Sequence, residues 1–229
     1  MKKLPISLTR RELLAGWCYL GLELFVLPYL LPLANALLPS PLSLGKLNFL
    51  FFSLNFLVLA VVFRRFLQAS WRYARQHGKA LLSAAALGFA VYLAAAGLVA
   101  LALARVAPEF SNANDVSIAA MAREDALLMG IGTVLLVPMA EEILYRAVLF
   151  GSLYARNPMG AYVVSCLVFC AIHVLGYVGA YPAGMLLLSC LQYLPAGLCL
   201  AWVYVRSGSI FAPAIIHMLV NLSAFLMLL

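Results

Sequence analysis

Three ionisable side chains lie inside an otherwise uncharged stretch of the chain. Glu141, Glu142 and Arg146 are the only charged residues between Ala126 and Tyr154. A charged side chain at the centre of a membrane costs roughly 2.5–3.5 kcal/mol on insertion scales, so such residues mark a functional site by default. On a helix, Glu142 and Arg146 are four residues apart and can form an ion pair. Glu141 lies about 100° away around the helix and is left as a candidate general base.

Two histidines and an asparagine lie in other apolar segments. His173 follows Phe169 by four residues, and Asn221 follows His217 by four residues. On a helix, His217 and Asn221 therefore share one face and can donate hydrogen bonds to the same small target. A single histidine in an apolar helix is more often structural, but two histidines beside a Glu-Glu-Arg cluster indicate a site.

Two water-activating chemistries suit these residues. In the first, Glu141 and His173 hold and deprotonate a water molecule that attacks a peptide carbonyl. His217 and Asn221 then donate hydrogen bonds to the developing oxyanion. In the second, Glu141, His173 and His217 ligate a zinc ion that activates the water. The spacing is compatible with both, and the lack of a His-Glu-x-x-His motif favours the metal-free chemistry.

The elements that carry these residues are predicted to be membrane helices. Of the 229 residues, 66% are hydrophobic and 10% are charged, which excludes a single soluble globular domain. We expect an all-α fold, a polytopic transmembrane bundle of about seven or eight membrane helices with the active site inside the membrane. The net charge of +7 comes from basic residues between the apolar segments. This pattern indicates membrane topology and argues against nucleic acid as a partner.

Seven apolar segments are candidates for membrane spans. They are, approximately, Leu13–Leu38, Leu47–Phe63, Ala80–Leu103, Ala126–Phe150, Met159–Tyr177, Met185–Val205 and Ile210–Leu229. The first is too long for the apolar core of a signal peptide, so we expect a retained helix bent by Pro28 and Pro32. Glu23 is either a structural partner for a polar group on another helix or part of a substrate path, and the lack of a motif around it favours the structural interpretation. The many Ala and Gly residues of the third span predict a closely packed, buried helix.

A polar segment, Arg105–Glu124, divides the chain into two parts. Residues 1–104 form a predicted three-helix half, and residues 126–229 form a half that carries the motifs. Within the polar segment, Val116–Glu124 is predicted as a short interfacial helix. We expect the whole chain to be a single membrane domain. The basic residues fall mainly on alternate loops, which predicts a cytoplasmic N-terminus.

The candidate catalytic residues can reach a common depth in the membrane. At 1.5 Å per residue, Glu141 lies roughly 14–22 Å from the predicted cytoplasmic end of its helix. His173 lies roughly 21 Å from Met159, and His217 lies roughly 10 Å from Ile210. Given an error of one turn at each boundary, the three side chains can meet, which is the condition for a shared site.

The motifs resemble those of a known family, the CAAX prenyl protease and bacteriocin-processing (CPBP, or Abi) intramembrane endopeptidases. The family's motifs EExxxR, FxxxH and HxxxN match Glu141-Glu142 with Arg146, Phe169 with His173, and His217 with Asn221, in the same order. The resemblance covers about Ala126 to Leu229. The first half of the chain matches only as a set of membrane helices.

The resemblance implies hydrolysis of a peptide bond inside the membrane by a glutamate-dependent mechanism. It assigns the activation of water to Glu141 and His173, and the oxyanion hole to His217 and Asn221. The residues that it implies to order the site or contact substrate are Glu142, Arg146 and Phe169. No metal cofactor is favoured, and zinc held by Glu141, His173 and His217 is the lesser alternative. Ala147 departs from the glycine that many members carry there, which concerns packing and removes no catalytic group.

The expected partners are the lipid bilayer and a membrane-associated peptide or protein substrate. That substrate is a CAAX-type C-terminus, prenylated in some cases, or a leader or bacteriocin peptide. The expected location is a bacterial plasma membrane. Two alternatives stay open: a catalytically silent peptide-binding or immunity protein, and a small transporter with a Glu/His proton relay. Intact motifs argue against the first, and the lack of paired helix breaks in two related halves argues against the second.

Overall fold

The computed structural model describes residues 4–228, which are helical apart from short connections. The helices are α1 (Arg10–Phe25), α2 (Leu27–Ala36), α3 (Leu44–Val62), α4 (Arg64–Gln76), α5 (Gly78–Val106), α6 (Ala113–Glu124), α7 (Ala126–Tyr154), α8 (Pro158–Leu175), α9 (Ala183–Ser207) and α10 (Phe211–Leu228). No β-strand occurs in this range.

Six single helices are long and apolar enough to cross a membrane, namely α3, α5, α7, α8, α9 and α10. Helices α1 and α2 meet at a bend of 56° and together form a further candidate span. The bend lies just before Pro28, which has no N–H with which to continue α1, whereas Pro32 lies inside α2. The described residues therefore confirm an all-α, multi-pass membrane bundle with six or seven spans.

Helix α7, which carries the Glu-Glu-Arg motif, lies at the centre of the bundle. In its most apolar stretch 56% of the residues are buried, the highest share among the six single spans. Two wider π-helical stretches, Ile131–Leu136 and Glu142–Phe150, flank a short α-helical segment, Val137–Glu141. That segment contains Pro138, which removes one backbone donor. π-Helical turns are rare and occur often at functional sites, so the backbone itself is unusual where the motif lies.

The two halves of the chain pack into one apolar core. Leu20 of α1 and Leu59 of α3 belong to the same buried cluster as Ile143 and Leu144 of α7. Membrane helices gain little from burying apolar surface away from lipid, so close packing of this kind is what holds them together. The shared core supports our proposal that residues 1–229 form a single membrane domain.

Glu23 of α1 adds a polar link between the halves. Its carboxylate accepts hydrogen bonds from Nδ2 of Asn55 at 2.7 Å and from the hydroxyl of Tyr145 at 3.4 Å. Asn55 lies on α3 and Tyr145 on α7. Glu23 is therefore a structural partner for polar groups on other helices, as interpreted from the sequence.

The basic stretch after the second predicted span forms its own helix, α4, which the sequence analysis did not predict. Glu12 accepts a hydrogen bond from the backbone N–H of Phe66 at 3.1 Å, and this satisfies one of the free donors at the start of α4. The hydroxyl of Ser70 accepts a hydrogen bond from the backbone N–H of Ile210 at 3.0 Å. Helix α4 thereby anchors the start of α10, the helix that carries His217.

Helix α5 does not occupy the buried position that its Ala and Gly residues predicted. Only 11% of its most apolar stretch is buried, the lowest share among the six single spans. Close packing occurs at Gly88, which faces Val203 and Ile216, whereas Gly97 has open space beside it. The prediction was wrong because Ala is also the best helix former, so a run of Ala does not require a close neighbour.

We expect Gly88→Ala to destabilise the protein and Gly97→Ala to leave it unchanged or slightly more stable. A Cβ at residue 88 would overlap the side chain of Val203 and lie 3.1 Å from Cδ1 of Ile216. Overpacking of this kind costs about 1–3 kcal/mol, whereas Ala in place of an unpacked helical Gly gains about 0.5–1 kcal/mol. Thermal unfolding of both variants in detergent measures the difference, and equal midpoints would contradict it.

Candidate active site

A cavity of about 940 Å³ opens between the two halves of the bundle. The predicted site residues that line it are Glu141, Phe169, His173, His217 and Asn221. Glu142 and Arg146 lie behind the cavity wall and are fully buried. The structure therefore brings all three motifs to one place.

Glu142 and Arg146 form the ion pair that their spacing predicted. Nε of Arg146 lies 3.2 Å from Oε2 of Glu142, with both side chains completely buried. Nη1 of Arg146 donates to the hydroxyl of Ser165 at 3.0 Å, and the guanidinium lies 4.7 Å from the ring centroid of Phe169. The Ser165 hydroxyl donates in turn to the carbonyl of Tyr145 at 3.2 Å. Arg146 is thus held by contacts on several sides and belongs to the framework of the site.

Glu141 has a different environment from its neighbour. Its side chain keeps 15% of its surface exposed, on the cavity side, whereas that of Glu142 keeps none. Its Oε2 atom has no hydrogen-bond partner in the described part of the chain. Of the two adjacent carboxylates, Glu141 is the one that a molecule in the cavity can reach.

His217 lies between the two carboxylates. Its Nδ1 is 3.0 Å from Oε1 of Glu142, and its Nε2 is 3.8 Å from Oε2 of Glu141. An ionised carboxylate can only accept a hydrogen bond, so Nδ1 of His217 carries the hydrogen in the shorter contact. This contact orients the ring and directs Nε2 toward Glu141.

His173 is oriented by its own helix and by aromatic neighbours. Its Nδ1 donates to the backbone carbonyl of Phe169 at 2.7 Å. Its ring stacks on Tyr193 with centroids 4.0 Å apart. Because the carbonyl oxygen can only accept a hydrogen bond, Nδ1 carries the hydrogen. Nε2 of the neutral ring is then free to accept a hydrogen bond.

The side-chain amide of Asn221 already makes one hydrogen bond within the protein. Its Nδ2 donates to the backbone carbonyl of Thr133 at 2.8 Å, within the first π-helical stretch of α7. The amide has two N–H groups, so one remains for a ligand in the cavity. Asn221 and His217 therefore share a face of α10, as predicted, and each has a structural contact in addition.

Three residues that the sequence analysis missed complete the framework: Ser165, Tyr193 and Thr133. Ser165 precedes Phe169 and His173 by four and eight residues, so its place on the same face of α8 was a usable signal. Tyr193 meets His173 only because α9 packs on α8. Thr133 acts through its backbone carbonyl, for which the side-chain pattern offers no signal.

The same geometry bears on the zinc alternative. Among residues 4–228, no group of three His, Cys, Asp or Glu side chains is placed to hold one metal ion. Glu141, His173 and His217 line a common cavity without forming a ligand set. In this arrangement the three residues do not fit the zinc alternative.

Comparison with known proteins supports the resemblance of the motifs. Residues 123–223 match the family profile described as type II CAAX prenyl endopeptidase Rce1-like. The match runs from the end of α6 into α10 and includes all three motifs. Searches of curated proteins and of solved structures gave no significant match.

The matched family has consequences for the chain as a whole. Its members are proteases, so the protein is a hydrolase whose substrate is a membrane-associated peptide in a lipid environment. The apolar helices that surround the motifs are consistent with cleavage inside the membrane. The Rce1-like match at residues 123–223, which carry all three motifs, therefore supports the CPBP family of CAAX-protease-like intramembrane endopeptidases as the family of this chain.

Proposed function

We propose that this protein cleaves its substrate with a water molecule that Glu141 and His173 activate, without a metal ion. One observation carries the proposal: Glu141 is the carboxylate of the pair that faces the cavity, together with both histidines and Asn221. Glu142 is enclosed by Arg146 and His217 instead. The two acidic residues thus have separate tasks, one in chemistry and one in the framework.

In the proposed reaction, a water molecule is held between the carboxylate of Glu141 and Nε2 of His173. As the water oxygen bonds to the carbonyl carbon, one proton passes to Glu141. When the C–N bond breaks, the proton passes to the leaving nitrogen and Glu141 returns to a carboxylate. Support comes from the part of the Glu141 side chain that stays exposed in the cavity and from the Nδ1 contact that leaves Nε2 of His173 as an acceptor.

His217 and Asn221 are proposed to donate hydrogen bonds to the oxyanion. Since Nδ1 of His217 donates to Glu142, Nε2 is a second donor only when the ring is an imidazolium. A single oxyanion donor contributes about 10²–10³-fold to kcat in proteases.

The proposed substrate is a peptide with an apolar segment, either a CAAX-type C-terminus, prenylated in some cases, or a leader or bacteriocin peptide. Leu27, Leu31, Leu47 and Leu93 line the cavity beside its polar residues, which suits an amphipathic ligand. We place the N-terminus in the cytoplasm of a bacterial cell, since the basic helix α4 would then face the cytoplasm.

Liposomes that contain the wild-type protein and a fluorogenic peptide test this function. A CAAX-type and a leader-type peptide are compared, with and without a chelator. We expect cleavage of at least one peptide at a rate that the chelator does not change. Loss of cleavage that zinc restores would replace the proposed mechanism with a metal-dependent one. Binding of both peptides without cleavage would favour the silent binding protein. A zinc protease in the same liposomes verifies that the chelator acts.

A further inference from the structure

The cavity extends beyond the candidate active site to the beginning of α6. There it is lined by one carboxylate and three phenol rings, which we call the α6 pocket: Asp115, Tyr92, Tyr177 and Tyr193. The three tyrosines come from α5, from the connection 176–182 and from α9. Asp115 lies within electrostatic range of all three. Tertiary packing therefore gathers an acidic group and aromatic rings around one part of the cavity.

Asp115 has no counter-charge there. The ion pairs among residues 4–228 involve Glu141, Glu142, Arg146 and His217 but not Asp115. Burial raises the pKa of Asp115 above its ordinary value, as expected for a carboxylate without a partner. A partly buried carboxylate of this kind is costly until a cation or hydrogen-bond donor meets it. The cavity is the side from which such a group can arrive.

Two tyrosines of the α6 pocket, Tyr177 and Tyr193, are held in place by the start of α6. Nδ2 of Asn114 donates to the hydroxyl of Tyr193 at 3.1 Å, and the hydroxyl of Tyr177 donates to Oδ1 of Asn114 at 3.3 Å. Asn112 accepts from Tyr193 at 3.4 Å and also caps α6. Because their hydroxyl groups are occupied, these rings are preorganised to present apolar faces, and a ligand need not order them.

The α6 pocket is directly connected to the candidate active site. Tyr193 contributes to the pocket and also stacks on His173, the proposed partner of the attacking water. A substrate bound at the candidate active site can therefore extend one of its groups into the α6 pocket. Aromatic rings attract cations through their faces, and a carboxylate adds a full opposite charge.

We propose that the α6 pocket selects substrates with a cationic group, an alkylammonium or guanidinium, close to the cleaved bond. This inference rests on the proposed function. A lysine or arginine side chain supplies that chemistry, and so does a free amino terminus. A neutral residue at the same position leaves Asp115 without a counter-charge, and an acidic residue is repelled by it.

The test uses an acetylated apolar host peptide with a single lysine placed in turn at each of the positions around the cleaved bond. Matched peptides carry Gln or Glu at the same positions, and a host peptide with a free amino terminus and no lysine tests the other source of charge. At one position we expect kcat/KM for the Lys peptide to exceed that for the Gln peptide by roughly tenfold, the effect of one hydrogen bond to a charged group. An Arg peptide behaves like the Lys peptide.

Two variants connect the preference to the pocket. Asp115→Asn brings the ratio of Lys to Gln peptide close to one. Asp115→Lys turns the preference toward the Glu peptide, a gain that a misfolded protein cannot show. Glu109 is exposed, lies in the connection just before α6 and does not line the cavity, so Glu109→Gln is the matched control and keeps the Lys preference.

The outcomes separate the pocket from the proposed function. Equal cleavage of Lys, Gln and Glu peptides by the wild type would contradict the proposed cation preference of the α6 pocket, but it would not contradict the proposed protease function. If the wild type cleaves none of the peptides, the proposed hydrolysis fails. Peptide affinities from fluorescence polarisation then test the cation preference of the α6 pocket without any cleavage. The Lys preference, and its reversal by Asp115→Lys, must then appear in Kd.

Discussion

Replacing Glu141 with Gln should lower kcat by about 10²–10⁴-fold for any peptide that the wild type cleaves, the contribution typical of a general base. The amide keeps the shape of the side chain but cannot take a proton from water. The bundle should remain folded, because Glu141 lines the cavity and its ionisable contact, Nε2 of His217, is 3.8 Å away, beyond hydrogen-bond distance. Initial rates in liposomes, measured beside thermal unfolding in detergent, separate the two effects.

Glu142→Gln is the matched control for this prediction. Glu142 is fully buried between Arg146 and His217, so its neutralisation leaves a guanidinium without its counter-charge. We expect this variant to unfold at a lower temperature, whereas Glu141→Gln unfolds close to the wild type. A stable but inactive Glu142→Gln together with an active Glu141→Gln would mean that the two carboxylates have the opposite roles.

Replacing Arg146 with Met should destabilise the protein by about 3–5 kcal/mol, as is found when one partner of a buried ion pair is removed. The substitution leaves Glu142 charged in a fully buried place, with His217 as its remaining partner, and it removes the hydrogen bond to Ser165. The double variant Glu142→Gln with Arg146→Met should recover a large part of the loss, because no charge is then left uncompensated.

A double-mutant cycle in thermal or denaturant unfolding measures this coupling. Arg105→Met supplies the control, since Arg105 is exposed at the end of α5 and surface substitutions usually change stability by less than about 0.5 kcal/mol. If Arg146→Met unfolds like Arg105→Met, the buried pair contributes nothing to the fold and Arg146 must be kept for another purpose.

The membrane helices could be predicted closely from the sequence. The fourth predicted span begins at Ala126, where α7 begins, and the sixth, Met185–Val205, lies within α9. Such agreement has a physical cause, because a spanning segment must satisfy its backbone hydrogen bonds within its own helix and must be apolar over its whole length. Contacts with neighbouring helices have little influence on where such a segment lies in the sequence. Where neighbours do decide, in the burial of α5 and the docking of α4, the sequence analysis was wrong or silent.

The candidate site also combines features that the sequence predicted with features that depend on tertiary packing. The motif spacings predicted the Glu142–Arg146 pair and the shared face of His217 and Asn221, since both depend only on the geometry of one helix. They did not predict that His217 donates to Glu142 or that Asn221 binds the carbonyl of Thr133. Both contacts join residues from separate helices, so they depend on how α10 is rotated and tilted against α7.

By itself, the sequence determined that the protein is a membrane helix bundle, where most of its helices begin and end, and which residues are candidates for the chemistry. These properties follow from local hydrophobicity and from periodicity within single helices. Only the tertiary structure decided which of the two adjacent glutamates faces the cavity. It also decided that Asp115 and three tyrosines line the same part of that cavity, at the beginning of α6. The reason is that both depend on the packing of several helices, and packing between membrane helices is set by the shapes of whole surfaces.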